Sequence, residues 1–309
     1  MEDQKTRNWD LDGIDSISES TSNDKHSASE QESQIPIAPL IDPNAINTGA
    51  ILGPVVIFYG PRQVGKTVTL IRISKFVKKN AGINIRVNPG FRTDNAYPTT
   101  INTFNELLDK ENKYSPQRTG NIDFLLLDYY ENGKLYCQLL EAPGEHFFDE
   151  NDQREPNKPY VAYFENIRLR DYKKVYVLFF EDNMFGNPDL RERYASKAAT
   201  LINSLNPKRD RVLVLYNKVD EIPAITVRGK ANVETLKNHI FSNPEYNEFK
   251  VAIKKSSLKH IYFVPFSSGS FPEIQGSDKV RWVLGLDDYP KIFWSSIRSS
   301  LDKKWRLFG

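Results

Sequence analysis

Between the apolar run Val55-Val-Ile-Phe-Tyr59 and an amphipathic stretch that begins at Thr67, the chain reads Gly60-Pro-Arg-Gln-Val-Gly65-Lys66-Thr67. This is a G-x-x-x-x-G-K-T pattern in the order strand, loop, helix. Its glycines let backbone N–H groups wrap around phosphate oxygens, and the helix N-terminus adds its positive end. The lysine reaches the β- and γ-phosphates, and the threonine hydroxyl ligates Mg²⁺. Gly60, Pro61, Arg62, Gln63, Val64, Gly65, Lys66, Thr67 and Val68 are therefore expected to cradle a nucleoside diphosphate or triphosphate. A loop of this kind needs a strand behind it and a helix ahead of it, which restricts the fold to an α/β domain.

Charge divides the chain. The net charge is only +2, but residues 1–48 hold ten acidic and three basic side chains, a net −7 that leaves +9 on the remainder. Such a near-neutral balance argues against a dedicated nucleic-acid binder. Residues 1–46 carry too little apolar surface to offset the entropy of ordering them, and read as a disordered acidic tail. Trp9, Leu11 and Ile14 are its one partner-binding candidate, and Pro36, Pro39 and Pro43 make a stiff lead into the first strand. No apolar run reaches the roughly 18 residues of a spanning helix, so a soluble protein is expected. The polar N-terminus resembles neither a secretory signal nor a transit peptide, and the lone Cys137 suits a reducing compartment; the expected location is cytoplasmic.

From Ile51 onward short apolar runs alternate with amphipathic ones. Strands are expected at Val55–Tyr59, Ile122–Asp128, Leu135–Glu141, Val175–Phe180, Val212–Asn217 and Ile261–Phe266. Helices are expected at Thr67–Lys79, Thr103–Asn112, Asp189–Leu205, Val233–Phe241 and Pro290–Leu307. Asn132-Gly133 between two strand-like runs signals a hairpin, so one antiparallel strand should edge an otherwise parallel sheet. The expected architecture is a three-layer α/β domain over residues 47–309.

The base is addressed downstream. Val212-Leu-Val-Leu-Tyr216 runs into Asn217-Lys218-Val219-Asp220, an N-K-x-D sequence at the end of a strand. An aspartate there accepts from the N1–H and exocyclic amine of guanine, which adenine does not offer in that arrangement. The aliphatic stem of Lys218 suits the purine face. This argues against an ATP-dependent kinase or ATPase. With the phosphate loop, it makes residues 51–309 resemble the Ras-like, translation-factor-related P-loop GTPases. The resemblance implies that Asn217 supports the phosphate loop and that Asp220 reads guanine. It also implies that Ser267, Ser268 and Gly269, which end the strand of Phe263-Val-Pro-Phe266, close over the base.

The resemblance also assigns the switches. Glu141-Ala-Pro-Gly144-Glu145-His146 stands where relatives place an aspartate that holds Mg²⁺ through water, so Glu141 replaces the aspartate with a carboxylate one methylene longer. Gly144 is implied to give its N–H to the γ-phosphate. Glu145 falls where relatives orient the attacking water, and its charge beside a triphosphate implies slow hydrolysis. His146, one residue late for the histidine of translation factors, either touches the attacking water or is a surface switch residue titrating near neutrality. The switch-one threonine that ligates Mg²⁺ is assigned to Thr119, with Thr99 and Thr100 as alternatives. Arg118 beside it is either an arginine finger supplied in cis or an exposed loop residue.

Two stretches exceed a minimal member of this family, 80–115 and 221–257, and are either partner surfaces or a thicker shell. The Pro-Gly-Glu third motif resembles, more distantly, bacterial GTPase domains of multi-protein systems. Lys303, Lys304 and Arg306 interleaved with Trp305, Leu307 and Phe308 suggest peripheral contact with an anionic membrane. No lipidation signal accompanies them. The function expected is a regulatory GTPase using Mg²⁺ and switching an unidentified protein partner, and the alternative is a nucleotide-binding scaffold that scarcely hydrolyses.

Overall fold

β1 (Val55–Tyr59) is buried along its whole length, as an apolar run without alternation requires of a central strand. The computed structural model describes residues 45–109, 122, 124–227, 230–258, 260–272 and 281–302. After β1 the chain forms α1 (Lys66–Asn80), β2 (Asn84–Val87), α2 (Tyr97–Asp109), β3 (Leu125–Glu131), β4 (Lys134–Glu141), α3 (Ala162–Leu169), β5 (Lys174–Phe180) and α4 (Pro188–Ser204). It continues with β6 (Asp210–Tyr216), a small hairpin of β7 (Thr226–Val227) and β8 (Lys230–Ala231), α5 (Val233–Ser242), α6 (Asn247–Lys255), β9 (Ile261–Pro265) and α7 (Asp288–Leu301).

Seven strands make one sheet in the order β2-β3-β4-β1-β5-β6-β9. Every pairing from β4 to β9 is parallel, and β3 is antiparallel to both of its neighbours. The reversed strand thus lies at this end of the sheet, as expected, with β2 added outside it. Asn132 and Gly133 both take positive φ, 51° and 76°, the pair of values that a two-residue type I′ hairpin demands.

Neighbouring residues of β1 face opposite layers, as strand geometry dictates. Phe58 packs against Phe293 of α7, while Tyr59 packs against Phe164 of α3 and Tyr194 of α4. α1 joins α7 on the first face. The three layers are therefore held at the strand that carries the phosphate loop.

The elements missed from sequence are short. β2 offers only two buried side chains, and α3 and α6 have eight and nine residues with no side-chain cap at their first turns. α2 starts at Tyr97 rather than Thr103, with Pro98 in its first turn, where the missing N–H of proline is tolerated. α7 ends at Leu301, short of the expected Leu307. The tail lies outside the described residues up to Asn44. Ala45 accepts from Thr93 N and Ile46 bridges Arg92. Residues 303–309 also lie outside them. Among the described residues no helix is long and apolar enough to cross a membrane.

One buried ion pair positions the segment that follows the third motif. Lys197 of α4 and Glu155 meet at 2.8 Å with both side chains about 2% exposed. Lys197 also donates to the Lys158 carbonyl and lies 4.8 Å from the Tyr160 ring centre. Arg193 donates to the Asp152 and Glu155 carbonyls. Removing one partner leaves an uncompensated buried charge, so Lys197→Met should cost about 3 kcal/mol in urea unfolding. Lys197→Met/Glu155→Leu should recover most of that. A double variant no more stable than the single one would show that the charges do not act as a pair.

Candidate functional site

The carboxyl ends of β1, β4, β5, β6 and β9 open on one edge of the sheet, where α/β domains bind ligands. The phosphate loop leaves β1 there. Its carbonyls are held from within: buried Lys66 donates through Nζ to Gly60 O at 3.0 Å and Pro61 O at 2.7 Å. Gly65 takes φ 84° as the residue before α1, and a Cβ at that position would overlap Asn217 Nδ2. Gln63 adopts φ 61° on the exposed turn of the loop, a conformation a side chain enters only at a cost.

Asn217 is buried at the end of β6, and its Nδ2 donates to Val64 O at 3.0 Å. That bond fixes Asn217-Lys218-Val219-Asp220 against the loop. Lys218 takes φ 55° and pairs with Glu181, at the end of β5, at 2.7 Å. Asp220 stands exposed in the 3₁₀ turn that follows. The phosphate loop after β1, the Asn217 tie from β6 and the strand order together decide the architecture. The domain has a P-loop GTPase fold.

No protein-family model matches this sequence. No curated protein matches it either. Among solved structures the chain is similar to that of the chloroplast translocon components atToc33 and psToc159, at 11% identity over 83% of this chain and 86% of that one, with a TM-score of 0.44. It is also similar to a dimerisation-deficient Toc33 from Arabidopsis thaliana, at 10% identity over 82% and 86%, TM-score 0.42. The S. cerevisiae Ski7 GTPase-like domain, bound to GDP and inorganic phosphate, gives 16% identity over 84% of this chain and 51% of that one, TM-score 0.37.

Within this GTPase fold the third motif packs directly on the phosphate loop. A Cβ at Gly144 would overlap Arg62 N and Pro61 C, so only glycine permits the approach. Glu145 follows, with its Oε2 3.6 Å from Arg62 Nε. Thr67 Oγ1 donates to Glu141 Oε1 at 2.8 Å, both residues being buried. A hydroxyl and a carboxylate are hard oxygen donors of the kind Mg²⁺ takes, and that ion completes its shell with phosphate oxygens and waters rather than a protein cage. The pair fits such an ion, although no group of three or more His, Cys, Asp or Glu suited to a metal occurs among the described residues.

Ser267 and Ser268 are buried past β9. Gly269 N donates to Ser267 Oγ at 3.1 Å, and Trp282 Nε1 donates to Ser268 O at 2.9 Å. Val283 bridges Ser270. Arg72, buried on α1, donates through Nη2 to Gly285 O at 2.8 Å and to Asp287 at 2.7 Å. The segment ahead of α7 therefore straps the Ser267–Gly269 turn to the helix of the phosphate loop. Arg72, Glu181 and Trp282 carry no local motif, although a charged residue at an inward position of α1 was the available clue. Thr119 and Arg118 lie outside the described residues. Thr99 and Thr100 sit in the first turn of α2, where the Thr100 hydroxyl is spent on Ala96 O at 3.3 Å.

His146 is not the surface residue expected. It is 5% exposed, its Nδ1 lies 3.0 Å from Tyr163 Oη, and its ring abuts Phe124. The 3₁₀ turn Gly144–His146 aims it inward among aromatic rings. Burial depresses its pKa to about 4, with Glu145 pulling the other way and Lys66 reinforcing the fall. Burial, with the charges of Glu141 and Glu145, raises the Tyr163 phenol. An unfolded histidine titrates near about 6.5. The unfolded chain therefore binds this proton first as pH falls, and the contribution is complete above about 6.5 and lost towards about 4, by up to about 3 kcal/mol. Urea unfolding at pH 7.5, 5.5 and 4.5 should show this loss in the parent chain and a flatter profile in His146→Leu. Parallel profiles would assign the loss to other groups.

Proposed function

We propose that this chain is a guanine-nucleotide-binding regulatory GTPase that hydrolyses GTP to GDP and phosphate. The observation that carries the reading is the Asn217 to Val64 hydrogen bond, which ties the N-K-x-D turn to the phosphate loop and so supports Asp220 as the reader of a base attached to loop-bound phosphates. Loop amides and Lys66 take the phosphates, and Asp220 accepts from the guanine edge. Lys218, held by Glu181, covers the purine face, and the Ser267–Gly269 turn closes the far side.

Thr67 and Glu141 would hold Mg²⁺, with a switch-one threonine, assigned to Thr119, completing the set. When bound, the ion neutralises charge on the β- and γ-phosphates. The chain contributes positioning: Gly144 N–H at the γ-phosphate and Glu145 accepting from the attacking water. Phosphate release frees the segments around Thr119 and Gly144, and a protein partner reads the difference. Its place of action is the cytoplasm.

The second reading, a scaffold that binds but scarcely hydrolyses, is favoured by Glu145, a carboxylate in the water-orienting place. Single-turnover assays with GTP separate the two: phosphate release no faster than in buffer, with GTP binding intact, establishes the scaffold.

Guanine reading has its own test. The parent chain should prefer GDP over ADP by at least about 100-fold in calorimetry, because an aspartate built to accept from guanine is left unpaired by adenine. Asp220→Asn should weaken GDP at least about tenfold and turn preference towards xanthosine diphosphate, whose extra carbonyl suits an amide donor. Equal affinity of the parent chain for GDP and ADP would overturn the base assignment.

A further inference from the structure

The phosphate loop carries a second cation, Arg62, which meets a carboxylate of the third motif. Gly144 lies so close to the Pro61–Arg62 peptide that the third motif and the loop are docked backbone to backbone. That contact brings Arg62 and Glu145, adjacent to it on either side, near one another. Their charged atoms come to 3.6 Å, with Arg62 about half exposed at the rim and Glu145 22% exposed. Among the described residues neither side chain forms another ion pair. The other loop cation, Lys66, points inward to the carbonyls of Gly60 and Pro61, so the two cations divide the loop into interior and rim.

We propose that Arg62 is an arginine supplied in cis from the phosphate loop, bridging Glu145 and the terminal phosphate of a bound nucleoside triphosphate. The inference rests on the GTPase reading above. A carboxylate at the water-orienting place repels the γ-phosphate, and a planar guanidinium placed between them offers N–H donors to both at once. Glu145 is thereby kept beside the triphosphate with its second oxygen available to the attacking water. In the transfer, the water oxygen forms the new bond to phosphorus. The bond from phosphorus to the β–γ bridging oxygen breaks with its electron pair leaving on GDP, and the water proton passes to the released phosphate. Arg62 exchanges no atom; it offsets charge that builds on the equatorial oxygens and the leaving group. A diphosphate has no γ-phosphate to bridge, so Arg62 favours the triphosphate.

The full-length chain and its R62A, R62K, E145Q and R62A/E145Q variants test this, with GDP and GTPγS affinities measured by calorimetry, melting temperature by calorimetric scan, and single-turnover hydrolysis of GTP. R62A should lower the GTPγS-to-GDP affinity ratio about tenfold and single-turnover hydrolysis about 100-fold, while GDP affinity stays within about twofold. R62K should keep most of the ratio but little of the rate, since an ammonium lacks the fork. Adding E145Q to R62A should restore most of the ratio, because a neutral amide needs no shield. A ratio within about twofold of the parent in R62A, an equal loss of GDP and GTPγS affinity, or a double variant no better than R62A would each overturn the proposal. A parent chain that binds neither nucleotide ends the GTPase reading itself and this inference with it. A parent chain that binds but does not hydrolyse leaves the affinity ratio to decide.

Discussion

The phosphate loop can turn its N–H groups outward only if its carbonyls are satisfied elsewhere, and three of them are. Lys66 takes those of Gly60 and Pro61, and Asn217 takes that of Val64. A buried carbonyl left without a donor costs roughly 1–3 kcal/mol, so three in one short loop would be enough to favour another conformation. Two of the three bonds come from Lys66 of the loop's own helix and the third from Asn217 at the end of β6. That third bond makes the loop depend on the sheet. With β5 lying between β1 and β6, the separation of the phosphate loop from the N-K-x-D turn is set by strand spacing.

Around this anchor the neighbouring segments are held at two places. On one side, Lys197 and Arg193 of α4 fasten residues 152–158, so the chain between Glu141 and that clasp is short and contains the Gly144 contact. On the other, Arg72 of α1 fastens the strap over Ser267–Gly269. The first clasp buries a charge pair, an arrangement that is costly to break and of small net benefit to stability. Its value lies in specifying where the segment after the third motif begins. The strap links the Ser267–Gly269 turn to the helix that starts at Lys66.

The phosphate loop, β1 and the N-K-x-D turn were legible in sequence because each is a local pattern with one physical solution. β1 is recovered without a boundary error, and Asn132-Gly133 gives the hairpin that reverses β3. Misreadings cluster where tertiary contacts override local signals. Pro98 opens a helix instead of stopping one, and β2 exists only because β3 leaves an edge for it. His146 sits inside because the 3₁₀ turn rotates it towards Tyr163 and Phe124. Arg72, Glu181 and Trp282 act across at least 37 positions of sequence, from Glu181 to Lys218, except for the shorter reach of Trp282 to Ser268. No spacing rule connects such residues before the fold does.

Glutamate at both 141 and 145 places two long carboxylates where a triphosphate would bring more negative charge. At an effective dielectric near 20, two unit charges about 5 Å apart interact by about 3 kcal/mol, so neither is tolerable unless its charge is answered. The fold answers each differently. Glu141 spends an oxygen on the Thr67 hydroxyl in a buried, short and directional bond, which ties it to the first turn of α1. Glu145 meets Arg62 across a looser and partly wet gap, a contact that can re-form around a third group without breaking the packing beneath it, because the Gly144 backbone carries that packing. The rigid carboxylate suits holding a cation. The adjustable one suits a role that changes when the terminal phosphate arrives and departs.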